Sequence, residues 1–103
     1  MEYKLIVAQS FEDDLDNVLA YISETLFNPT AASRLFKAVE EKVRLVHENP
    51  LLYPLYHDER LLDKGYHYAV ISNYLMFYTV DETTKTIFIS RFLYGGQNFL
   101  NII

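Results

Sequence analysis

The side chains in this sequence that are equipped for chemistry gather in two acidic stretches and the cations beside the second. Glu12, Asp13, Asp14 and Asp16 crowd carboxylates into one short run, the raw material of a hard-cation site or of paired acid–base chemistry. No histidine accompanies them, and acidic residues have a simpler use in the first turns of a helix, where the positive end of the macrodipole favours them. His57, Asp58 and Glu59 offer nitrogen and oxygen ligands. Consecutive residues on a loop rarely converge on one ion, so we read no metal site there and no cofactor elsewhere. Arg60 and Lys64 follow in the same loop, which brings two cations to the mouth of the strands that come next. The chain has no cysteine, which removes disulfides, thiolate zinc sites and thiol nucleophiles together.

The elements that must position these groups can be read from spacing. Tyr3 to Ala8 alternates weakly and reads as a short added strand. Ser10 then stands as a helix N-cap with Asp13 three residues on, in the manner of a capping box. Phe11, Leu15, Val18, Leu19, Ile22 and Leu26 recur at helical spacing and mark one apolar face. Asn28-Pro29 ends that helix and starts another, with Asn28 as N-cap and Pro29 where its missing N–H costs nothing. Ala32, Leu35, Phe36, Val39, Val43 and Val46 continue the period, His47 lies where it can meet the last carbonyls, and Pro50 stops the helix.

A proline-rich loop runs from Leu51 to Lys64, long enough to carry function. Three strands follow, Tyr66 to Ile71, Tyr74 to Val80 and Thr86 to Leu93, dense in Val, Ile, Phe and Tyr. Ser72-Asn73 is the first turn, with Asn73 as the residue suited to positive φ, and Asp81 to Lys85 is the second. The expectation is one α+β domain of order β-α-α-β-β-β, spanning all 103 residues, with a helical hairpin on one face of a curved meander and a concave face opposite.

Charge narrows the partners. The net charge is −5. Residues 1–29 set Lys4 alone against Glu2, Glu12, Asp13, Asp14, Asp16 and Glu24, while the rest of the chain is balanced. Such a surface repels phosphate, so any nucleic-acid contact falls to the later two-thirds. No stretch reaches the roughly 18 apolar residues of a membrane span, which points to a cytoplasmic protein with no membrane partner.

Y-K-L-I-V, D-L-D-N-V-L-A-Y-I, N-P-T-A-A, N-P-L-L-Y-P-L-Y-H-D-E, K-G-Y-H-Y-A-V-I-S-N-Y-L-M-F-Y-T-V-D-E and I-S-R-F-L-Y-G-G occur in that order over nearly the whole chain. In this the sequence resembles the RelE/ParE superfamily, the toxins of bacterial type II toxin–antitoxin (plasmid stabilisation) systems. The resemblance implies a cognate antitoxin as partner and, as the first expectation, inhibition of translation by ribosome-dependent mRNA cleavage, with DNA gyrase as the alternative target. RelE-like members cut mRNA on the ribosome, using the 2′-hydroxyl as nucleophile and needing no metal. ParE-like members inhibit DNA gyrase. An attenuated toxin that only binds its antitoxin is a further possibility within the family, and a free toxin with an open apolar face would form homodimers.

For the RNA-cleaving reading, the resemblance carries roles to a few residues. Arg91 would contact the scissile phosphate or an acidic antitoxin residue, and Tyr94 would stack on a base or relay a proton. Arg60 lies in the loop where ribonuclease members place basic residues, with Lys64 near it, and His67 stands where related sequences carry Arg. Each has a structural alternative: an ion pair from Arg91 to Asp81, Glu82 or a helix acid, a rim position for Tyr94, an edge-strand position for His67. Tyr66, Tyr68, Tyr74 and Tyr78 fit sheet packing. His67-Tyr68, Thr79 and Gly96-Gln97-Asn98-Phe99 depart from the basic residues of relatives, which weakens phosphate binding by about 1.5 to 3 kcal/mol for each lost contact.

Overall fold

The computed structural model describes residues 2–58 and 64–96. In chain order it has β1 (Lys4–Val7), α1 (Gln9–Ala20), a π-helical turn (Tyr21–Thr25), α2 (Pro29–Glu48), β2 (His67–Ile71), β3 (Tyr74–Asp81) and β4 (Thr86–Tyr94). The strands form one sheet in the order β1-β4-β3-β2. The meander is antiparallel as expected, but β1 joins its far edge parallel to β4, with Lys4 opposite Thr86 and Val7 opposite Ile89. Both helices cover one face. Phe11, Leu15, Leu35, Val39 and Val46 from the helices meet Ala69, Ile71, Met76, Tyr78, Ile87, Ile89 and Phe92 from the sheet in a single core. Period-two strands and 3.6-period helices each turn one apolar set to that layer.

The opposite face is not left open. Phe77 and Leu93 are buried there beneath Tyr56, Tyr66, Tyr68 and Leu75. The chain after Pro50 folds back along the β2 edge, where Tyr56 N–H donates to the Tyr66 carbonyl at 2.7 Å and Tyr68 N–H to Pro54 at 3.1 Å. The expected concave outer surface is thus partly roofed by aromatic rings. A strand pair apolar on both sides needs a cover on both, and the loop supplies the second.

Local chemistry accounts for most boundaries. Asn28 caps α2, its side chain accepting the Ala31 N–H at 3.1 Å with Pro29 in the first turn, a contribution of about 1 kcal/mol. In the β3–β4 turn the Asp81 carboxylate accepts the N–H groups of Thr83 and Thr84, and Lys85 takes a positive φ of 53°.

Other expectations need correction. Ser10 is not the cap of α1: Ala8 occupies that position with no side-chain cap, and Ser10 lies inside the helix. The positive φ of the β2–β3 turn falls on Ser72, at 56°, rather than on Asn73, the position a type II′ loop requires. Leu26 leaves the apolar stripe and is 54% exposed. The π-helical turn before it widens the spiral, so the helical period that carried Ile22 inward turns Leu26 outward. His47 does not serve its own helix end: its Nε2–H donates to the Tyr3 carbonyl at 2.7 Å and ties α2 to the start of β1.

Tyr78, fully buried on β3, donates its hydroxyl to the Pro50 carbonyl at 2.8 Å and so fixes the chain just beyond α2 to the sheet. Burial pushes its pKa up to about 12. The folded protein therefore keeps this proton where an unfolded tyrosine, with a pKa of about 10, gives it up. Stability from this group is complete below pH of about 10 and is lost as pH rises towards about 12, a fall on the order of 2 kcal/mol. Tyr78→Phe should cost about 1 kcal/mol at neutral pH and flatten this alkaline decline. Urea unfolding followed from pH 8 to 12, read beside the wild type, checks both effects.

Candidate functional site

β1 is shorter than the strand it pairs with, and the site lies where it stops. The last β1 pair is Val7 with Ile89, yet β4 runs on to Tyr94. Beyond that point the outward backbone groups of β4 have no strand to bond, and a buried group left unbonded costs about 1 to 3 kcal/mol. The first turns of α1 take over. Ala8 N–H donates to the Ile89 carbonyl at 2.9 Å, the Ser10 hydroxyl donates to the Ser90 carbonyl at 2.7 Å, and Asp14 accepts the Phe92 N–H at 3.0 Å. A register shift between Phe77 and Tyr78 falls opposite the same stretch, so that Phe77 faces Arg91 and Tyr78 faces Ile89 with Ser90 left over. A bulge of this kind re-aims the side chains that follow it.

The side chain it re-aims is Arg91. Its Nε donates to Asp14 Oδ2 at 2.7 Å and its Nη2 to Oδ1 at 2.9 Å. The pair is largely withdrawn from water, with 24% of the arginine and 14% of the aspartate side chain exposed. The hydrogen bond to Asp14 raises the guanidinium's affinity for its proton further. One carboxylate therefore satisfies a fork of two N–H groups and a backbone amide together, the geometry in which Arg–carboxylate pairs are strongest.

Arg91 and Tyr94 line the same cleft of about 400 Å³, with Asp14, Asn17 and Val18. Two of the residues assigned a role from the sequence thus share one surface. Tyr94 is half exposed, packs edge-on to Tyr74 with ring centres 6.0 Å apart, and lies so close to Gly96 that a Cβ there would come within 2.9 Å of its ring. Tyr74 stacks in turn on Phe92 at 4.9 Å. Burial, together with the neighbouring Tyr94 and Tyr21 phenols, raises the Tyr74 pKa.

His67 is elsewhere. It pairs with Tyr78, while Tyr94 pairs with Tyr74, and the four residue steps between those positions on β3 span roughly 13 Å. Its Nδ1–H donates to the Tyr53 carbonyl at 2.8 Å and its ring stacks on Tyr78 at 5.1 Å. It pins the loop to the sheet. Arg60 lies outside the described residues, as does Glu59, and Lys64 is exposed at the end of the loop. Among the described residues no three His, Cys, Asp or Glu side chains gather in a way that could hold a metal ion.

The residues missed by sequence reasoning are Asp14 and Ser10. Asp14 stands three positions after Phe11 and four before Val18, on the flank of the helix's apolar stripe, while Glu12 and Asp16 face away. That spacing was the available signal for a carboxylate turned towards the sheet. What the cleft offers a ligand is a neutralised ion pair, an amide, a phenol and apolar walls. No other described cation lines it.

The family model for the ParE toxin of the type II toxin–antitoxin system parDE matches residues 5–99. No curated protein matches the chain. Among solved structures the chain is similar to one in the toxin–antitoxin complex RelBE2 from Mycobacterium tuberculosis, with a TM-score of 0.65 and 19% identity over 91% of this chain and 99% of that one. It is also similar to one in the chromosomal ParDE toxin–antitoxin system of P. aeruginosa, with a TM-score of 0.72 and 17% identity over 90% and 96%. At such identities the likeness is one of fold, and it agrees with a helical hairpin laid on one face of a mixed sheet. With the family pattern running from β1 past the end of β4, this chain belongs to the ParE toxin family of type II toxin–antitoxin systems, within the RelE/ParE superfamily.

Proposed function

We propose that the chain acts as a toxin by occupying a protein target, DNA gyrase, and not by cutting RNA, and that a cognate antitoxin neutralises it in the cytoplasm. The observation that carries this reading is the commitment of Arg91 to Asp14. Cleavage by a 2′-hydroxyl needs a cation aimed at the scissile phosphate. Here the guanidinium fork already faces a carboxylate, and turning it to a phosphate would leave Asp14 charged and mostly buried, held by the Phe92 N–H without its counter-charge. The acidic balance of the chain adds a second, long-range cost to the approach of RNA. A protein surface asks less: a cleft with hydrogen-bonding walls and exposed tyrosine is a common kind of anchor site.

The RNA-cleaving reading has one observation in its favour, the shared cleft of Arg91 and Tyr94. Purified protein separates the two. In a supercoiling assay with gyrase and relaxed plasmid, inhibition is expected at a molar ratio near one to one. In a parallel reaction with ribosomes and message, full-length transcript is expected throughout. Message cut at defined positions, lost in Tyr94→Phe, with supercoiling untouched would overturn the proposal. Among the described residues no helix is long and apolar enough to cross a membrane.

A further inference from the structure

The tip of the helical hairpin is built against the preferences of its own residues. Phe27 holds a φ of 52°, in the left-handed region that a helix end usually reserves for glycine or asparagine, and a bulky residue there is an outlier. Packing does not offset that conformation: Phe27 is 87% exposed and belongs to neither apolar cluster. The backbone around it is nonetheless held. Leu26 N–H donates to the Tyr21 carbonyl at 3.1 Å and Asn28 N–H to the Ile22 carbonyl at 3.0 Å, and Asn28 then caps α2. The π-helical turn Tyr21–Thr25 comes directly before this pair of bonds closes, and such turns are frequent at functional sites. Two costly backbone features therefore meet at a ring held out in water, and strain from which the fold gains nothing points to a contact surface.

The surface runs on from that ring to the cleft of Arg91 and Tyr94. Asn17 and Val18 line the cleft, and Tyr21 follows them at helical spacing, one turn nearer the tip. Its phenol is close enough to Tyr74 to raise that group's pKa, as the Tyr94 phenol also does. Tyr21, Leu26 and Tyr94 are each about half exposed. Between residues 21 and 30 the chain has no Lys or Arg, and Glu24 is the single charge. Such a tip offers nothing to a phosphate backbone. Rich in aromatic rings and poor in charge, it has the composition found at the buried centre of protein–protein interfaces.

We infer that Phe27 is an anchor that inserts into an apolar pocket on gyrase, with Tyr21 and Tyr94 at the rim, so that the hairpin tip and the cleft form one contact surface. The inference rests on the reading of gyrase as the target. A single protruding ring gains most from a hollow that desolvates it on all sides, and the bonds that fix the tip beforehand lower the cost of ordering it on binding. A second copy of this chain fits less well. Two tips meeting would bury little more than the rings themselves, whereas a stable interface takes roughly 1,200–2,000 Å². A larger partner that also covers the cleft supplies the remainder.

Phe27→Asn tests this without weakening the fold, because asparagine suits both a positive φ and an exposed site. Its urea midpoint should equal or exceed that of the wild type, while the concentration needed to inhibit supercoiling rises at least tenfold. Tyr21→Ser should raise that concentration at least threefold. Leu51→Asn, which removes an exposed apolar side chain beyond the far end of α2, should leave inhibition unchanged. With p-benzoylphenylalanine in place of Phe27, irradiation beside purified gyrase should yield an adduct with a gyrase subunit. Full inhibition by Phe27→Asn, a lowered midpoint, an equal loss from Leu51→Asn, or an adduct only between two copies of this chain would each overturn the inference. The wild-type assay keeps the two readings apart. Inhibition by the wild type and by Phe27→Asn alike removes the tip and leaves gyrase as the target, whereas a wild type that never inhibits removes both.

Discussion

Asp14→Ala is expected to cost the fold about 2 to 4 kcal/mol, a large part of the 5 to 15 kcal/mol that holds a domain of this size together. The change deletes three bonds at once, two from the Arg91 guanidinium and one from the Phe92 amide. It also strands a charge that is mostly shielded from water. Removing one partner of a buried pair costs about 3 to 5 kcal/mol, and the residual exposure of this pair lowers the figure. Asp14→Asn keeps an acceptor for the amide but loses the charge, so it should fall between. The informative control is Asp14→Leu/Arg91→Met, in which both charges leave together; much of the loss should return, as apolar replacements of ion pairs often show. Urea unfolding at pH 7 measures all three. A loss below about 0.5 kcal/mol for Asp14→Ala would mean that α1 does not complete the β4 edge through this residue.

Phe77→Ala should cost about 3 to 5 kcal/mol, and it should do so unevenly across the molecule. Phe77 is fully buried, but not in the main core. It is the floor of the smaller aromatic cluster, with Tyr56 edge-on at 5.4 Å and Tyr66 at 6.2 Å. Among the described residues, Leu93 alone is buried beside it. Without the ring, the segment that carries Tyr56 keeps its contact with Tyr68 but loses its floor, and the bonds from Tyr56 to Tyr66 and from Tyr68 to Pro54 become more open to water. Hydrogen exchange at the Tyr56 and Tyr68 amides should therefore quicken more than at Ile87 or Ile89. Uniform loss of protection across both sets would show that the two layers open as one.

The large elements were legible because their periods are strong. Phe11, Leu15 and Val18, then Leu35, Val39 and Val46, state two helices, Asn28-Pro29 states the break between them, and three Tyr- and Val-rich runs state the meander. What could not be read depended on partners distant in sequence. Nothing near Lys4 says that its strand would join Thr86 in parallel rather than pair as a hairpin. Ser10 and Asp14 have the composition of a helix start, and only the exposed edge of β4 gives them other work. In the same way His67 reads as an edge residue until Tyr53 is brought over it, and the roof over Phe77 is made by a loop with no period at all. The pairing of Arg91 with a helix acid was among the sequence expectations; which acid was a question of tertiary geometry.

The union of β1 with β4 has a consequence for the order in which the molecule is made. The strand that closes the sheet leaves the ribosome long before its partner, which starts at Thr86. Until that partner emerges, the Ser10 hydroxyl and the Asp14 carboxylate of α1 lack the β4 groups they bond. Contacts between segments this far apart in sequence form late because the whole intervening loop must close first. A chain cut short before Thr86 lacks the β1–β4 edge and the cleft together.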